Sequence, residues 1–146
     1  MSMISRLIFF SIVVLTSAAW DSPYYDKDPL VTKGNVFEKV NLPGLTTLLQ
    51  VTKLDAVSGR DPVVRAQGSF VHSNVAKIIK ELENNGFVVT DAFLFASGDD
   101  NPWWKLEQGV SGTTFLDKQL PGHETKMKLF ALTDGSGFFQ FEDIRL

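Results

Sequence analysis

The sequence contains no cysteine in its 146 residues. Without cysteine, a chain cannot form disulfides, bind a metal through thiolates or use a thiol as a nucleophile or redox group. Small extracellular domains often depend on disulfides, so this chain must be held together by its hydrophobic core. Its stability is therefore expected to be the same under oxidising and reducing conditions, which would allow it to work inside the cytosol of another cell.

Positive charge and histidine are also scarce. The chain has 14 Lys and Arg against 17 Asp and Glu, and only two histidines. Binding to nucleic acid or to anionic lipid requires a basic face, so neither partner is expected. Two histidines without cysteine do not predict a zinc site, and Asp99-Asp100-Asn101 lacks the spacing of a calcium-binding loop. We also find no P-loop, dinucleotide or serine-hydrolase motif, and we predict neither a metal nor a cofactor.

Long apolar runs are limited to the N-terminus, where Leu7–Leu15 follows the positively charged Arg6. A membrane-spanning helix needs about 20 apolar residues, and this run has nine. The small residues Ser17 and Ala19 follow at the spacing of a cleavage site, which is the layout of a secretory signal peptide. We therefore predict that residues 1–19 are removed, that the protein is secreted, and that it does not insert into a membrane afterwards.

The rest of the chain divides into a short segment and one domain. Residues 20–36 mix prolines, charges and aromatic residues without periodicity, which indicates an extended N-terminal segment. In this segment, Tyr24 and Tyr25 either pack back on the domain or form a contact motif for a partner. Residues 37–146 have the length of a single domain.

A helix is predicted over about residues 74–85. Its apolar residues recur at helical spacing and form one stripe: Val75, Ile78, Ile79 and Leu82. Ser73 is the expected N-cap, and Gly86 is expected to end the helix.

Strands are predicted on both sides of this helix. Residues 45–56 and 63–71 form a hairpin, in which Arg65, Gln67 and Ser69 face solvent because they alternate with apolar residues. Residues 87–96 carry apolar side chains on both faces, which is typical of a central strand. In a C-terminal hairpin that turns at residues 134–137, Leu132 is expected to face Phe139 and Phe130 to face Phe141. The predicted fold is α+β, a curved antiparallel β-sheet packed against one main amphipathic α-helix.

The motif Asp-Asp-Asn-Pro-Trp-Trp-Lys at residues 99–105 is the strongest candidate site. If Trp103 and Trp104 begin a strand, they point to opposite faces, so that one enters the core and the other faces out. An exposed Trp beside Asp99, Asp100 and Lys105 resembles the aromatic anchor of a protein interface. Two alternatives remain: both rings complete the core, or they form a platform on which a sugar stacks.

These features predict a secreted, non-enzymatic protein-binding module, a virulence effector that acts on a host protein after uptake into the host cell. Trp103, Trp104, Asp99, Asp100, Lys105, Tyr24 and Tyr25 are its predicted binding residues. The alternatives are a lectin-like glycan-binding module and a small secreted hydrolase, ribonuclease-like or glycosidase-like. Two histidines and an acid can perform acid–base catalysis, and the hydrolase candidates are His72, His123, Asp91 and Asp99.

Overall fold

The structure is a computed structural model that describes residues 30–57, 63–72, 74–96, 98 and 101–146. The predicted signal peptide and most of the N-terminal segment, with Tyr24 and Tyr25, lie outside the described residues. Asp99 and Asp100 lie outside them as well.

Six antiparallel strands form one sheet. The strands are β1 (Leu49–Val57), β2 (Val63–Phe70), β3 (Val88–Thr90), β4 (Val110–Leu120), β5 (His123–Leu132) and β6 (Gly137–Arg145). Their spatial order is β1-β2-β6-β5-β4-β3. The predicted hairpin of β1 and β2 is confirmed, except that residues 45–47 belong to a 3₁₀ helix and not to the strand.

Helices make up a small part of the described chain: α1 (Val36–Lys39), α2 (Val75–Asn84) and 3₁₀ helices at Pro43–Thr47 and Pro102–Trp104. The N-cap of α2 is Asn74, whose side chain accepts a hydrogen bond from the backbone N–H of Lys77 at 3.0 Å. The cap predicted at Ser73 is therefore wrong by one residue. The helix ends as predicted before Gly86, whose φ of 93° lies in the left-handed region that favours glycine.

The hydrophobic core lies on one face of the sheet, which we call the helical face. Ile78 and Leu82 of α2 belong to the same buried cluster as the strand residues Met127, Leu129, Phe139 and Phe141. Phe37 of α1 meets the ring of Phe141 edge-on, with 5.4 Å between ring centroids. Side chains of α1, of the first 3₁₀ helix and of α2 thus share one buried cluster with this face.

We call the opposite face of the sheet the aromatic face. The alternation in β2 predicts that this face is exposed to water, but it is not. Gln67, Lys128, Gln140 and Glu142 are all buried there. The prediction was wrong because alternation identifies the polar face of a strand, whereas a later part of the chain decides whether that face meets solvent.

Residues 87–96 do not form a central strand. Only Val88–Thr90 are in β3, and this strand lies at the edge of the sheet. Phe93 and Phe95 are two residues apart and contact each other's rings, while Leu94 between them is 72% exposed. Phe93 and Phe95 are therefore covered by other aromatic rings and not by a neighbouring strand.

The register of the C-terminal hairpin also differs from the prediction. Leu129 lies opposite Phe139, and Met127 lies opposite Phe141. This register places Lys128 on the aromatic face, where it is buried among rings. The prediction paired Phe130 and Leu132 with these phenylalanines because a buried lysine in β5 cannot be anticipated without knowing what covers it.

Candidate partner-binding site on the aromatic face

The segment of the chain between the end of β3 and the start of β4 covers the aromatic face. We call residues 91–109 the crossing segment. Its described residues contact successive strands: Phe93 contacts Phe115 of β4, Ala96 contacts Glu142 of β6, and Trp103 contacts Lys53 of β1. The segment therefore reaches from the β3 edge of the sheet to the β1 edge before it returns to β4.

Polar side chains of the sheet hold the backbone of the crossing segment. The N–H of Ala96 donates to Glu142 Oε1 at 2.9 Å, Gln140 Nε2 donates to the carbonyl of Trp104 at 2.6 Å, and Lys53 Nζ donates to the carbonyl of Trp103 at 2.7 Å. Buried polar groups are costly unless they are hydrogen-bonded. These bonds give three of the sheet's polar side chains a partner and fix the segment at defined points.

The motif at residues 99–105 places its two tryptophans through a short 3₁₀ turn and not through a strand. Asn101 is the N-cap, and its side-chain oxygen accepts a hydrogen bond from the N–H of Trp103 at 2.9 Å. Pro102 occupies the first helical position, where its fixed φ suits the turn. The Asn-Pro pair therefore starts the turn that sets the two indoles against the sheet.

Five aromatic rings form a continuous row across this face, which we call the aromatic row. Its consecutive centroid distances are 5.1 Å for Phe115–Phe93, 5.8 Å for Phe93–Phe95, 4.2 Å for Phe95–Trp104 and 4.8 Å for Trp104–Trp103. Phe95 and Trp104 are stacked, and the other three pairs meet edge to face. Both arrangements are favourable for aromatic pairs.

Cations of the sheet lie over the faces of these rings. The ammonium of Lys128 is 4.7 Å from the centroid of Phe95, and that of Lys126 is 5.0 Å from the centroid of Phe93. Contacts of this kind stabilise a cation that has lost part of its hydration. They explain why Lys128 can be buried in the middle of the sheet.

At the β1 end of the row, the ring of Trp103 lies over two cations of the sheet. Lys53 Nζ is 4.6 Å and the Arg65 guanidinium carbon is 5.4 Å from the ring centroid. Arg65 is held in place by Asp55, its neighbour across β1 and β2, through a 2.8 Å ion pair whose side chains are 16% and 8% exposed. The indole is thus fixed from the sheet side by charged groups that are themselves positioned.

The predicted binding residues differ from one another in their exposure to solvent. Trp104 is 4% exposed, so its ring is not available to a partner. Trp103 is partly exposed, and Lys105 is exposed and pairs with Glu107 at 3.6 Å. Of the predicted set within the described residues, Trp103 is the aromatic group that reaches solvent.

Sequence reasoning missed Lys53, Asp55 and Arg65 as parts of this site. A usable signal existed, because the hairpin of β1 and β2 was predicted and its polar residues alternate toward one face. That pattern was interpreted as a solvated surface. Only the path of the crossing segment shows that Trp103 packs on it.

The two histidines among the hydrolase candidates lie far apart. His72 lines a shallow groove with Gly137, at the beginning of β6, whereas His123 lies opposite Arg145, at its end. Eight residue steps along β6 separate these points, which at about 3.3 Å per residue is roughly 26 Å. Asp91 is exposed just after β3. The two imidazoles therefore cannot act on one bond.

His123 instead forms a buried cluster that the sequence does not reveal. Its Nδ1 is 2.6 Å from Asp143 Oδ1, and the same oxygen accepts a hydrogen bond from the Thr125 hydroxyl at 2.9 Å. Asp143 Oδ2 is buried without a hydrogen-bond partner among the described residues. The imidazole is 2% exposed, so the cluster has no cleft for a substrate and joins the start of β5 to the end of β6.

Glu124 gives a pH-dependent prediction. Loss of solvent around the carboxyl and the nearby Asp117 carboxylate raise its pKa above the usual value. Between the unfolded and folded pKa values, the folded state then binds more protons, so stability falls as the pH rises through this range. Replacing Glu124 with Gln is expected to flatten this part of the stability curve and to leave the variant at least as stable as the wild type at neutral pH.

Urea unfolding at a series of pH values measures this effect. Glu107→Gln is the matched control, since Glu107 is exposed and no such slope should be removed by its substitution. An unchanged pH slope in Glu124→Gln would contradict the assignment.

The part of the chain that the structure describes was compared with the requirements of a metal cluster and of a membrane-spanning helix. No three His, Asp or Glu side chains there are grouped closely enough to hold a metal ion. No helix among those residues combines the length and the apolar character needed to cross a bilayer.

Comparison with known proteins adds no relative. No protein-family model matches the chain, and neither a characterised protein nor a solved structure is detectably similar to it. The functional argument therefore depends on the geometry alone.

Proposed function

We propose that this chain is a secreted, non-enzymatic protein-binding module that acts as a virulence effector on a host protein. The single observation that carries the binding proposal is the partly exposed Trp103, fixed at one end of the aromatic row. The export and the uptake into a host cell rest on the signal-like N-terminus and on the absence of cysteine, respectively. A cysteine-free chain has no disulfide to lose in a reducing cytosol.

Trp103 has the properties of an interface anchor. Such anchors are large aromatic side chains that are well packed and surrounded by groups that exclude water. The Trp103 backbone is tied at both its N–H and its carbonyl, and the ring packs on Trp104 and lies near Lys53. A ring held in this way loses little conformational entropy when a partner binds, so more of the contact energy contributes to affinity.

The neighbouring charges define the rest of the proposed surface. Lys105 and Glu107 are exposed beside the anchor, and Asp99 and Asp100 precede it in the sequence. Polar groups around an aromatic centre set specificity and association rate more than affinity. We propose that Trp103 supplies most of the affinity and that these charges select the partner.

The curvature of the sheet and the packing of its main helix, both predicted from the sequence, are retained as a proposal. We propose that the sheet is curved and that α2 is the one main helix packed against it. The burial of Ile78 and Leu82 within the core cluster supports this packing.

Substitution of Trp103 tests the proposed function. We expect Trp103→Ala to fold and to lose at least tenfold in affinity, because removal of an anchor costs about 2 kcal/mol or more. The measurement is affinity capture from host tissue with the wild-type chain, followed by titration of the captured protein against each variant. Leu94→Ala is the matched control, since it removes a large exposed side chain from another part of the crossing segment.

Two outcomes would overturn the proposal. One is equal affinity of Trp103→Ala and the wild type in a variant whose unfolding curve is intact. The other is binding to a glycan array that free sugar quenches, with no protein captured, which would assign Trp103 to a lectin-like site instead.

A further inference from the structure

The crossing segment takes no part in the hydrophobic core. None of its described residues belongs to the buried cluster on the helical face, and among those residues only Phe95 and Trp104 are buried. The strand pairs of the sheet are all formed by residues outside the segment. Removing the segment from the sheet would therefore break no strand pair and would leave the core on the helical face in place.

The backbone hydrogen bonds within the segment are local. Between Phe95 and Trp104, three backbone N–H groups each donate to the carbonyl three residues earlier. Such bonds fix turns in the segment, but they do not fix its position on the sheet. That position depends on the three hydrogen bonds from polar side chains of the sheet and on the contacts of the aromatic row.

The sheet under the crossing segment carries polar side chains, which water can solvate. Gln67, Lys128, Gln140 and Glu142 are buried there, and a polar group loses its hydration when it is buried. If the segment moves away, these side chains regain water, which offsets part of the cost of exposing the aromatic rings. An apolar face would give no such compensation, because its exposure to water is unfavourable.

From these observations we propose that the crossing segment is a strap that detaches from the aromatic face as one unit while the sheet and the helical face stay folded. Regions of a protein with few buried apolar contacts open at a lower free energy than the core. The closed state holds Trp103 over Lys53. The open state releases Trp103 from this position and exposes Phe95 and Trp104.

Detachment of the crossing segment switches the partner-binding site off, a consequence that rests on the proposed function. A partner that recognises Trp103 in its fixed position binds the closed state, so its apparent affinity scales with the closed fraction of the chain. A change that weakens the contacts between the segment and the sheet therefore lowers the affinity even when Trp103 itself is unaltered.

Hydrogen exchange of the chain alone, followed residue by residue by NMR, measures the opening. The N–H of Ala96 reports on the crossing segment because it donates to Glu142 Oε1, and the slowest amides of β5 and β6 report on global unfolding. We expect the N–H of Ala96 to be protected, but to exchange about a hundredfold or more faster than those amides. Its rate should change little in dilute urea, because the open state exposes much less surface than the unfolded state.

A substitution in the core separates local opening from global unfolding. Leu82→Ala, on the helical face, removes contacts that the open state keeps and the unfolded state loses. We expect it to speed up exchange of the slowest β5 and β6 amides about thirtyfold or more and to leave exchange at Ala96 unchanged. Ile78→Val is a milder substitution in the same cluster, with an expected effect of about fivefold, and it keeps the test decisive if Leu82→Ala does not fold. Leu94→Ala is the matched control, since this leucine is exposed and neither rate should change.

Three results are incompatible with a strap. Ala96 could exchange as slowly as the slowest β5 and β6 amides, or the core substitution could speed up both by the same factor; either would show that the segment unfolds only together with the sheet. Exchange at Ala96 at the rate of an unfolded chain would show that the segment is not held closed. Because these measurements use no partner, an unchanged affinity of Trp103→Ala would refute the proposed function and leave this inference standing.

Discussion

Replacing Gly68 with alanine is expected to destabilise the chain by about 3 kcal/mol, near the upper end of the range for overpacking a protein interior. A Cβ at this position would lie 1.9 Å from the carbonyl oxygen of Gln50 and 2.9 Å from the backbone nitrogen of Thr52. Both atoms belong to the backbone of β1, so a side-chain rotation cannot relieve the contact.

The close approach has a structural cause. Gly68 lies opposite Val51, and the pairing of β1 with β2 shifts between Val51 and Lys53, where β1 carries an extra residue. Such a bulge bends the strand toward its neighbour and often requires a glycine there. Relieving the clash would break the pairing that places Lys53 under Trp103 and Asp55 beside Arg65, so the substitution should also weaken partner binding.

Urea unfolding followed by tryptophan fluorescence measures the change. Gly112→Ala is the matched control, since Gly112 is also in a strand but has open space around its Cα. A strand glycine generally costs about 0.5–1 kcal/mol relative to alanine, so this control should be neutral or slightly more stable. Equal stability of the two variants would show that β1 can move away from Gly68.

Local patterns in the sequence identified β1, β2, α2 and the two strands of the last hairpin. The helical spacing of the apolar residues from Val75 to Leu82 and the glycine at residue 86 predicted α2 to within one residue at each end. The hairpin of β1 and β2 followed from alternation and turn residues. These features depend on residues close together in the chain, which is why one sequence suffices to predict them.

The aromatic face could not be predicted in this way. Whether the polar side of β2 meets water depends on the crossing segment, which lies far along the chain from Arg65 and Gln67. The interpretation of residues 87–96 as a central strand failed for the same reason, because Phe93 and Phe95 pack on rings from distant parts of the chain. Apolar residues on both sides of a short run do not by themselves show that the run is buried, since Val88, Val89 and Leu94 are exposed.

The predicted register of the last hairpin was also wrong. Because of this error, the sequence did not predict the cluster of His123, Thr125 and Asp143. In the predicted register, Asp143 lies opposite Lys128, and His123 lies beyond the end of the chain. In the structure, Asp143 lies opposite Thr125 and His123 opposite Arg145. The error of three residues in the register is therefore the reason why Asp143 was not predicted to lie beside His123 and Thr125.

This cluster leads to the second large prediction. Replacing Asp143 with alanine is expected to cost about 3–5 kcal/mol, because two buried side chains lose their hydrogen-bond acceptor at about 1–3 kcal/mol each. Asp143 is 1% exposed, and its carboxylate contacts both His123 and Thr125. Without it, the imidazole and the hydroxyl lose their acceptor in a site that water does not reach, and an unsatisfied buried donor costs about 1–3 kcal/mol.

The matched variant for this prediction replaces the whole cluster with apolar residues. His123→Leu, Thr125→Val and Asp143→Leu together remove every polar group of the cluster, and such replacements are often neutral or stabilising. We expect the triple variant to recover most of the stability that Asp143→Ala loses, as measured by urea unfolding. If Asp143→Ala lost less than about 1 kcal/mol, the three side chains would have to be solvated, and the end of β6 would not be fixed to β5 through them.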